Sequence, residues 1–416
     1  MRIGMLTQWY DPETGPAALP AVYAREFVKQ GHQVSVLTGF PNYPQGQLYP
    51  GYPLRPRTRE GKPPLRITRV ALYPDHSKSA LGRLANYASF GLSATLLAGG
   101  ALRGADAIWV YNSPITVAVP LLAHSRFGQT PIFLHVQDLW PDSLIESGML
   151  PRRFAGRHVA SSVAALVRLT ERRSAVIGVI SESVRELILE RNPRIDPKRV
   201  VYVPNPTNEQ LFRPVSRIRA ETGIVKTSND VVEVMYAGAV GEVQGLDTLL
   251  EAATILRNRQ DVHFTIIGDG ISKTRLQAKV ESLGLANVNF AGRVPQDDVP
   301  TLVARADIQL VSLAPSPFLA YTTPSKIPSL LAMGVPIVAQ IEGDAASLMR
   351  ASGAAEVVSP GNAQELANAI EVVVDAGESR RQEMGTAGRQ FYMEKLSARS
   401  AAHKITAAIG NVHGQF

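Results

Sequence analysis

The sequence predicts an α/β protein of two doubly wound domains, each a largely parallel sheet covered by helices on both faces. Three observations predict it. Short apolar runs alternate with stretches of helical period along the chain. The alternation pauses once, near residue 205. The 416 residues suit two domains of about 200 residues each.

In order, residues 2–7 (RIGMLT) predict a strand, 17–30 a helix and 32–38 a second strand. Residues 41–64 are rich in Pro, Gly, Tyr and Arg and predict a long loop. Residues 107–112, 131–137 and 175–181 are continuous apolar runs, the pattern of strands buried on both faces. Pro204, Pro206 and Pro214 break the pattern, and a polar stretch from Glu221 to Asp230 follows. The alternation restarts with a strand at 232–238, a helix over 246–258, and strands at 263–270, 288–292, 308–313, 335–340 and 356–361. The expected division is a first domain of 1–205, a second of 206–389, and final helices, 390–416, returning to the first.

Composition narrows the function classes. Hydrophobic residues make up 45% and charged residues 19%, enough to fill large cores and against wholesale disorder. With no cysteine, disulfide scaffolds, Cys-ligated zinc, iron–sulfur clusters and thiol nucleophiles are excluded. The N-terminus runs directly into a strand pattern without a signal-peptide signature, so the expected location is cytoplasmic.

Charge is unevenly placed. The chain carries +7 overall, but residues 1–200 hold 24 basic and 14 acidic side chains, a net +10. Arg55, Arg57, Arg59, Lys62, Arg66 and Arg69 form one basic stretch; Arg152, Arg153, Arg157, Arg168, Arg172 and Arg173 form another. Both fit an anionic partner, and both fit a solvated face. No nucleic-acid-binding motif accompanies them, so the expected partner is an anionic membrane surface and not a nucleic acid. The stretch 84–102 is uncharged and long enough to span a bilayer. Asn86, Ser89, Ser93 and Thr95 interrupt it, and Gly91, Gly99 and Gly100 weaken it. It reads as a buried or interfacial helix.

Three segments carry candidate chemistry. Gly238, Gly241 and Gly245 occupy a strand-to-helix loop, where glycine lets backbone N–H groups approach a phosphate. Gly268 and Gly270 end another strand, and Arg293–Val294 follow a third. Thr322, Thr323, Ser325 and Lys326 gather hydroxyls, amides and an ammonium before an apolar helix, a donor set that suits a diphosphate and also reads as a helix cap. Ser181 begins a helix and reads equally as cap or ligand contact.

The order YAGAVGEVQGLDTLLEAA, IIGDG, VNFAGRV, ADIQLV, then PSKIPSLLAMGVPIVA resembles the retaining family-four glycosyltransferases. In the first half, YDPETGPAALPAVYAREFVKQGHQVSVLTGFPNYP and HVQDLWPDSLIESGML resemble that family's N-terminal segments and a bacterial subgroup similar to N-acetyl-L-fucosamine and amino-sugar transferases of O-antigen or capsule synthesis. The resemblance covers nearly the whole chain. It implies the GT-B fold, two Rossmann-like domains facing a cleft. It also implies a UDP-sugar co-substrate without metal or other cofactor, and a lipid-linked glycan acceptor at the inner membrane face.

Residue by residue, the resemblance implies that Gly15, Gly238, Gly241, Gln244, Gly268, Arg293, Val294, Ser325 and Lys326 bind the donor. Lys326 would also neutralise the departing UDP. Asp138 would orient the acceptor hydroxyl, with Trp140 and Asp142 in the acceptor site. Asp138 reads equally as a helix cap. Several family positions are substituted. The phosphate-binding Arg and Lys become Glu242 and Gln244, and the two glutamates spaced eight apart become Tyr321 and Ser329. The family histidine falls on Gln137, with His135 two residues before it. These substitutions keep a catalytically silent homologue among the alternatives; a UDP-sugar 2-epimerase is a further alternative that they argue against.

Overall fold

A computed structural model describes residues 1–76, 79–98, 100–127, 130–142, 154–224, 231–316 and 319–413. Gly99, Arg152 and Arg153 lie outside the described residues. Contacts divide the chain into two compact units, Met1–Asn205 with Ala398–Phe416, and Pro206–Ser397.

The first unit is built on a sheet of order β3-β4-β2-β1-β5-β6-β7-β8. Its strands are β1 (Arg2–Leu6), β2 (Gln33–Gly39), β3 (Arg57–Lys62), β4 (Leu65–Val70), β5 (Ala107–Asn112), β6 (Ile132–Val136), β7 (Val176–Val179) and β8 (Val200–Tyr202). All pair in parallel except β3, which runs antiparallel to β4. The helices are α1 (Leu19–Lys29), α2 (Ala80–Leu96), α3 (Ala118–Phe127), α4 (Phe154–Arg173) and α5 (Glu182–Arg191).

One sheet face packs Ile3, Met5, Trp109 and Phe133 against Tyr23 and Phe27 of α1. The other packs Val70, Val110 and Leu134 against Phe90 and Ala94 of α2. This two-sided burial is why β5 and β6 are apolar throughout.

The stretch expected to be one long loop contains β3, and β4 follows it in a hairpin. The sequence RTREGK hides the strand because it is an edge: only one side pairs, and its residues are largely exposed. β8 is also unexpected, since three residues beside prolines leave little periodicity.

The second unit has a fully parallel sheet of order β11-β10-β9-β12-β13-β14. Its strands are β9 (Val232–Ala237), β10 (Val262–Ile267), β11 (Val288–Gly292), β12 (Ile308–Ser312), β13 (Ile337–Gln340) and β14 (Ala355–Val358). Its helices are α6 (Val215–Thr222), α7 (Leu246–Ile255), α8 (Lys273–Leu283), α9 (Val299–Val303), α10 (Lys326–Met333), α11 (Gly343–Ser352), α12 (Ala363–Asp375) and α13 (Gly377–Phe391). α7 and α12 cover one sheet face, α10 and α11 the other.

The return to the first unit begins at Ala398. There α14 (Ala398–His413) sets Ala401, Ala402, Ile405 and Ile409 into the core beside α1. In each sheet the central strand has neighbours reached in opposite directions. The carboxyl ends of β1 and β5, and of β9 and β12, are therefore the places where ligands enter such sheets.

Candidate functional site

In the second unit, the loop after β9 is knit to the loop after β10. The Val240 amide donates to the Asp269 carbonyl at 2.9 Å, and the Ser272 amide donates to the Val240 carbonyl at 3.1 Å. The two backbones approach so closely that a Cβ on Gly268 would lie 1.8 Å from the Gly238 carbonyl oxygen. Glycine is required there by space. The Gly241 amide donates to Gln244 Oε1 at 3.1 Å, closing the turn into α7. Ser312 Oγ donates to the Gln244 carbonyl and accepts from Gln340 Nε2 at 2.6 Å, which ties the ends of β12 and β13 to the same loop.

Lys326 opens α10 beneath this loop. Its Nζ is buried with no hydrogen-bond partner among the described residues. It lies 3.6 Å from the centroid of the Tyr236 ring and 2.8 Å from where a Cβ on Gly238 would be. Desolvation pushes the ammonium down to about 7. The ring face favours the charged form by roughly 1–2 kcal/mol, less than burial opposes it. An anion brought close to this nitrogen would favour its charged form.

In the first unit, Asp138 lies just past β6 and Ser113 just past β5. Ser113 Oγ donates to Asp138 Oδ2 at 2.6 Å. Burial raises the Asp138 carboxyl above its ordinary value, and the Ser113 hydrogen bond opposes the rise. In the loop after β1, Glu13 is buried. Its Oε2 accepts the Tyr10 N–H at 3.0 Å, and its Oε1 accepts the Asn42 and Tyr43 N–H groups at 2.8 and 2.9 Å. Burial still pushes its carboxyl up to about 7, the three N–H groups and Arg69 opposing. A chain of amides continues from it: Gln8 Nε2 donates to Asn86 Oδ1 at 2.6 Å, and Asn86 Nδ2 donates to Asn42 Oδ1 at 3.0 Å. Together these bonds fix the loop that leads to Gly15, whose φ of +67° suits glycine.

Residues 14–206 match the family described as Glycosyl transferase 4-like domain, and residues 232–376 match Glycosyl transferases group 1. The chain is a group 1 glycosyltransferase of GT-B fold. It is 29% identical over 338 residues to WcaI of Escherichia coli K12, named for colanic acid biosynthesis, covering 78% of this chain and 79% of that protein. It is 25% identical over 289 residues to the alpha-D-kanosaminyltransferase of Streptomyces kanamyceticus, 67% of each chain. The solved structure of Anabaena HepE in complex with UDP-glucose has the same fold at a TM-score of 0.64 and 18% identity, covering 99% of this chain and 100% of that one.

In this glycosyltransferase the structure brings Gly238, Gly241, Gln244, Gly268 and Lys326 together at the carboxyl ends of β9 and β10. Arg293 is exposed just past β11, and Val294 packs near Met235 and Ile267. Ser325 occupies the N-cap position of α10, but its side chain makes no capping bond. Gln244 spends its side-chain oxygen, Oε1, on the Gly241 amide. Ser329, at a family glutamate position, is buried and shares a hydrogen bond with Thr207 Oγ at 2.7 Å. Tyr321, at the other, is exposed.

In the first unit, Trp140 is 7% exposed and packs with Ile115, Ala118 and Val167, so its ring fills a small core and is not free to stack on a sugar. Asp142 is exposed. His135 is buried among Tyr23, Trp109 and Phe133 and bonds the Val203 carbonyl at 3.1 Å, which makes it a core residue. Ser181 caps α5, accepting the Val184 N–H at 3.3 Å.

Sequence reasoning missed Glu13, Ser113 and Tyr236. Glu13 lies in the polar run DPETG, Ser113 precedes a proline and Tyr236 lies near the end of an apolar strand, and none of these contexts names a partner. Only the fold supplies the partners that give these residues a role. Among the described residues, no group of three or more His, Asp or Glu side chains could hold a metal ion.

Proposed function

We propose that this glycosyltransferase moves a sugar, an N-acetylated amino sugar, from a UDP-sugar to a polyprenyl-diphosphate-linked glycan during bacterial surface polysaccharide synthesis, with retention at the anomeric carbon. The work takes place at the inner face of the cell membrane. The observation that carries the reading is the buried, partnerless Lys326 Nζ beneath the glycine loop. A diphosphate arriving at the loop after β9 would meet that nitrogen and draw a proton onto it.

The resulting ammonium neutralises the charge that develops on UDP as the glycosidic bond breaks. With retention, the departing diphosphate oxygen takes the proton of the attacking hydroxyl, so no protein nucleophile is required. Asp138, held by Ser113, accepts a hydrogen bond from the acceptor hydroxyl and orients it. The UDP-glucose complex of HepE and the WcaI and kanosaminyltransferase names support the donor class and the glycan product.

The test is transfer from a panel of UDP-sugars to a polyprenyl-diphosphate-linked sugar, with the product's anomeric configuration read by NMR. An α-linked product from an α-linked UDP-amino sugar is the expected result. An inverted product, or turnover only with a donor other than a UDP-sugar, overturns the proposal.

A further inference from the structure

We infer that α2 is a membrane-docking helix that lies flat in the surface of an anionic bilayer, its leucines among the acyl chains and the arginines of the neighbouring sheet edge on the headgroups. The inference rests on the proposed function for its purpose, since that acceptor is lipid-linked, but lipid binding can be measured without any sugar chemistry.

The helix has two unlike faces. Asn86, Phe90, Gly91 and Ala94 point into the first unit and are buried. Leu81, Leu84, Leu92 and Leu96 are 79%, 54%, 59% and 70% exposed, and Ala85 and Ala88 between them are exposed as well. At roughly 100° per residue these six positions fall within about 120° of one side of the helix. A soluble protein seldom leaves such a strip bare, whereas singly scattered exposed leucines need no explanation. Arg83 is the one charged residue on the helix. Among the described residues, no helix is long and apolar enough to cross a membrane, so the strip suits an interfacial position and not a spanning one.

Charge says what the strip meets. Arg57 pairs with Val70 and Arg59 with Thr68 across the β3–β4 hairpin, and Gly61 pairs with Arg66. Facing residues of an antiparallel pair project to the same side. Val70 packs against Phe90 and Ala94 of α2. Arg57, Arg59 and Arg66 therefore stand on the α2 side of the sheet edge, and all three are exposed. Arg57 reaches the helix itself, its Nη1 donating to the Leu97 carbonyl at 3.3 Å. Arg103, just beyond the C-terminal end of α2, is exposed too. At the other end of α2, Asp75 lies against Gly82. Glu60 faces the opposite side of the hairpin, where it binds Arg69 at 2.9 Å. An apolar strip with cations along its flank matches an anionic lipid surface in both chemistries.

The experiment is co-sedimentation of the full chain with vesicles of phosphatidylglycerol and phosphatidylcholine, and with phosphatidylcholine alone. The chain is expected to sediment with the anionic vesicles at low salt and to be released as salt rises. L92Q/L96Q, with a wild-type melting curve, should lose at least tenfold in binding, and R57Q/R59Q should lose affinity and salt dependence together. A single Leu92→Trp reporter should be quenched by brominated lipid. Binding by L92Q/L96Q equal to wild type, or fluorescence from the Leu92→Trp reporter that brominated lipid does not quench, overturns the inference. So does a dimer in sedimentation equilibrium that L92Q/L96Q dissociates, because the strip then belongs to a second copy. Transfer to a water-soluble acceptor without vesicle binding would overturn the docking while leaving the proposed function standing.

Discussion

Lys326 Nζ rests 3.6 Å from the centre of the Tyr236 ring, and among the described residues no hydrogen-bonding group answers it. The folded protein holds this group at about 7, against 10.5 for a free lysine. Between those values the unfolded chain binds a proton that the folded chain lacks, so stability should rise with pH across that window. Lys326→Met removes the burial cost. It should be more stable than wild type at pH 7 by about 2 kcal/mol, several degrees in melting temperature. The gap should close as pH approaches 10.5. Thermal melts at pH 7 and 10 check this.

Gly238→Ala tests the contact from the other side. The new Cβ would lie 2.8 Å from Lys326 Nζ and 3.1 Å from the Tyr236 hydroxyl, at a φ of +157°. The lysine head must move. UDP affinity should fall at least tenfold, with a stability loss of about 1–2 kcal/mol. Unchanged affinity would show that the loop and the lysine do not act together.

Glu13 predicts the opposite pH trend. Its carboxyl sits at about 7 in the folded chain against 4.5 when free. Between those values the folded chain holds a proton that the unfolded chain lacks, so this group's contribution is full below 4.5 and is lost as pH rises to 7. Glu13→Gln sets an NH₂ against one backbone donor. It should cost about 1–2 kcal/mol at pH 5, and the gap to wild type should narrow by pH 7.5. Melting temperatures of both proteins at the two pH values decide it.

Asp138→Asn keeps the shape of the side chain and can keep the Ser113 bond, but it removes a carboxylate from the proposed acceptor position. The expectation is a kcat at least 100-fold lower with the KM for the UDP-sugar unchanged. A change confined to KM for the donor would place Asp138 elsewhere in the reaction.

Ser329→Glu restores a family carboxylate in name only. The position is buried and bonded to Thr207 at 2.7 Å. The variant should lose about 3 kcal/mol and gain no UDP affinity. Titration and melting of the variant test both parts.

Much of the architecture was legible in the chain. β5, β6, β12 and β13 are buried on both faces, and burial writes a continuous apolar run into the sequence. The arginine-rich β3 was not legible, because an edge strand solvated along its length leaves no such record. Of the site, the glycines were visible, since close backbone approach demands them. The partnerless state of Lys326 was not. It depends on Tyr236, ninety residues earlier in the chain, and only the fold sets the first residue of α10 at the carboxyl end of β9, where the two meet. Trp140 carried the wrong emphasis for the same reason: whether an aromatic ring is offered or packed depends on α3 and α4, which meet around it.

The most direct measurement is a calorimetric titration of UDP into wild type and Lys326→Ala at pH 7, each in two buffers of different ionisation enthalpy. UDP is expected to bind wild type with uptake of a fraction of a proton. Lys326→Ala is expected to lose at least tenfold in affinity along with the proton uptake. Equal affinity in the two proteins, or binding to wild type with no proton taken up at that nitrogen, would contradict the role given to Lys326.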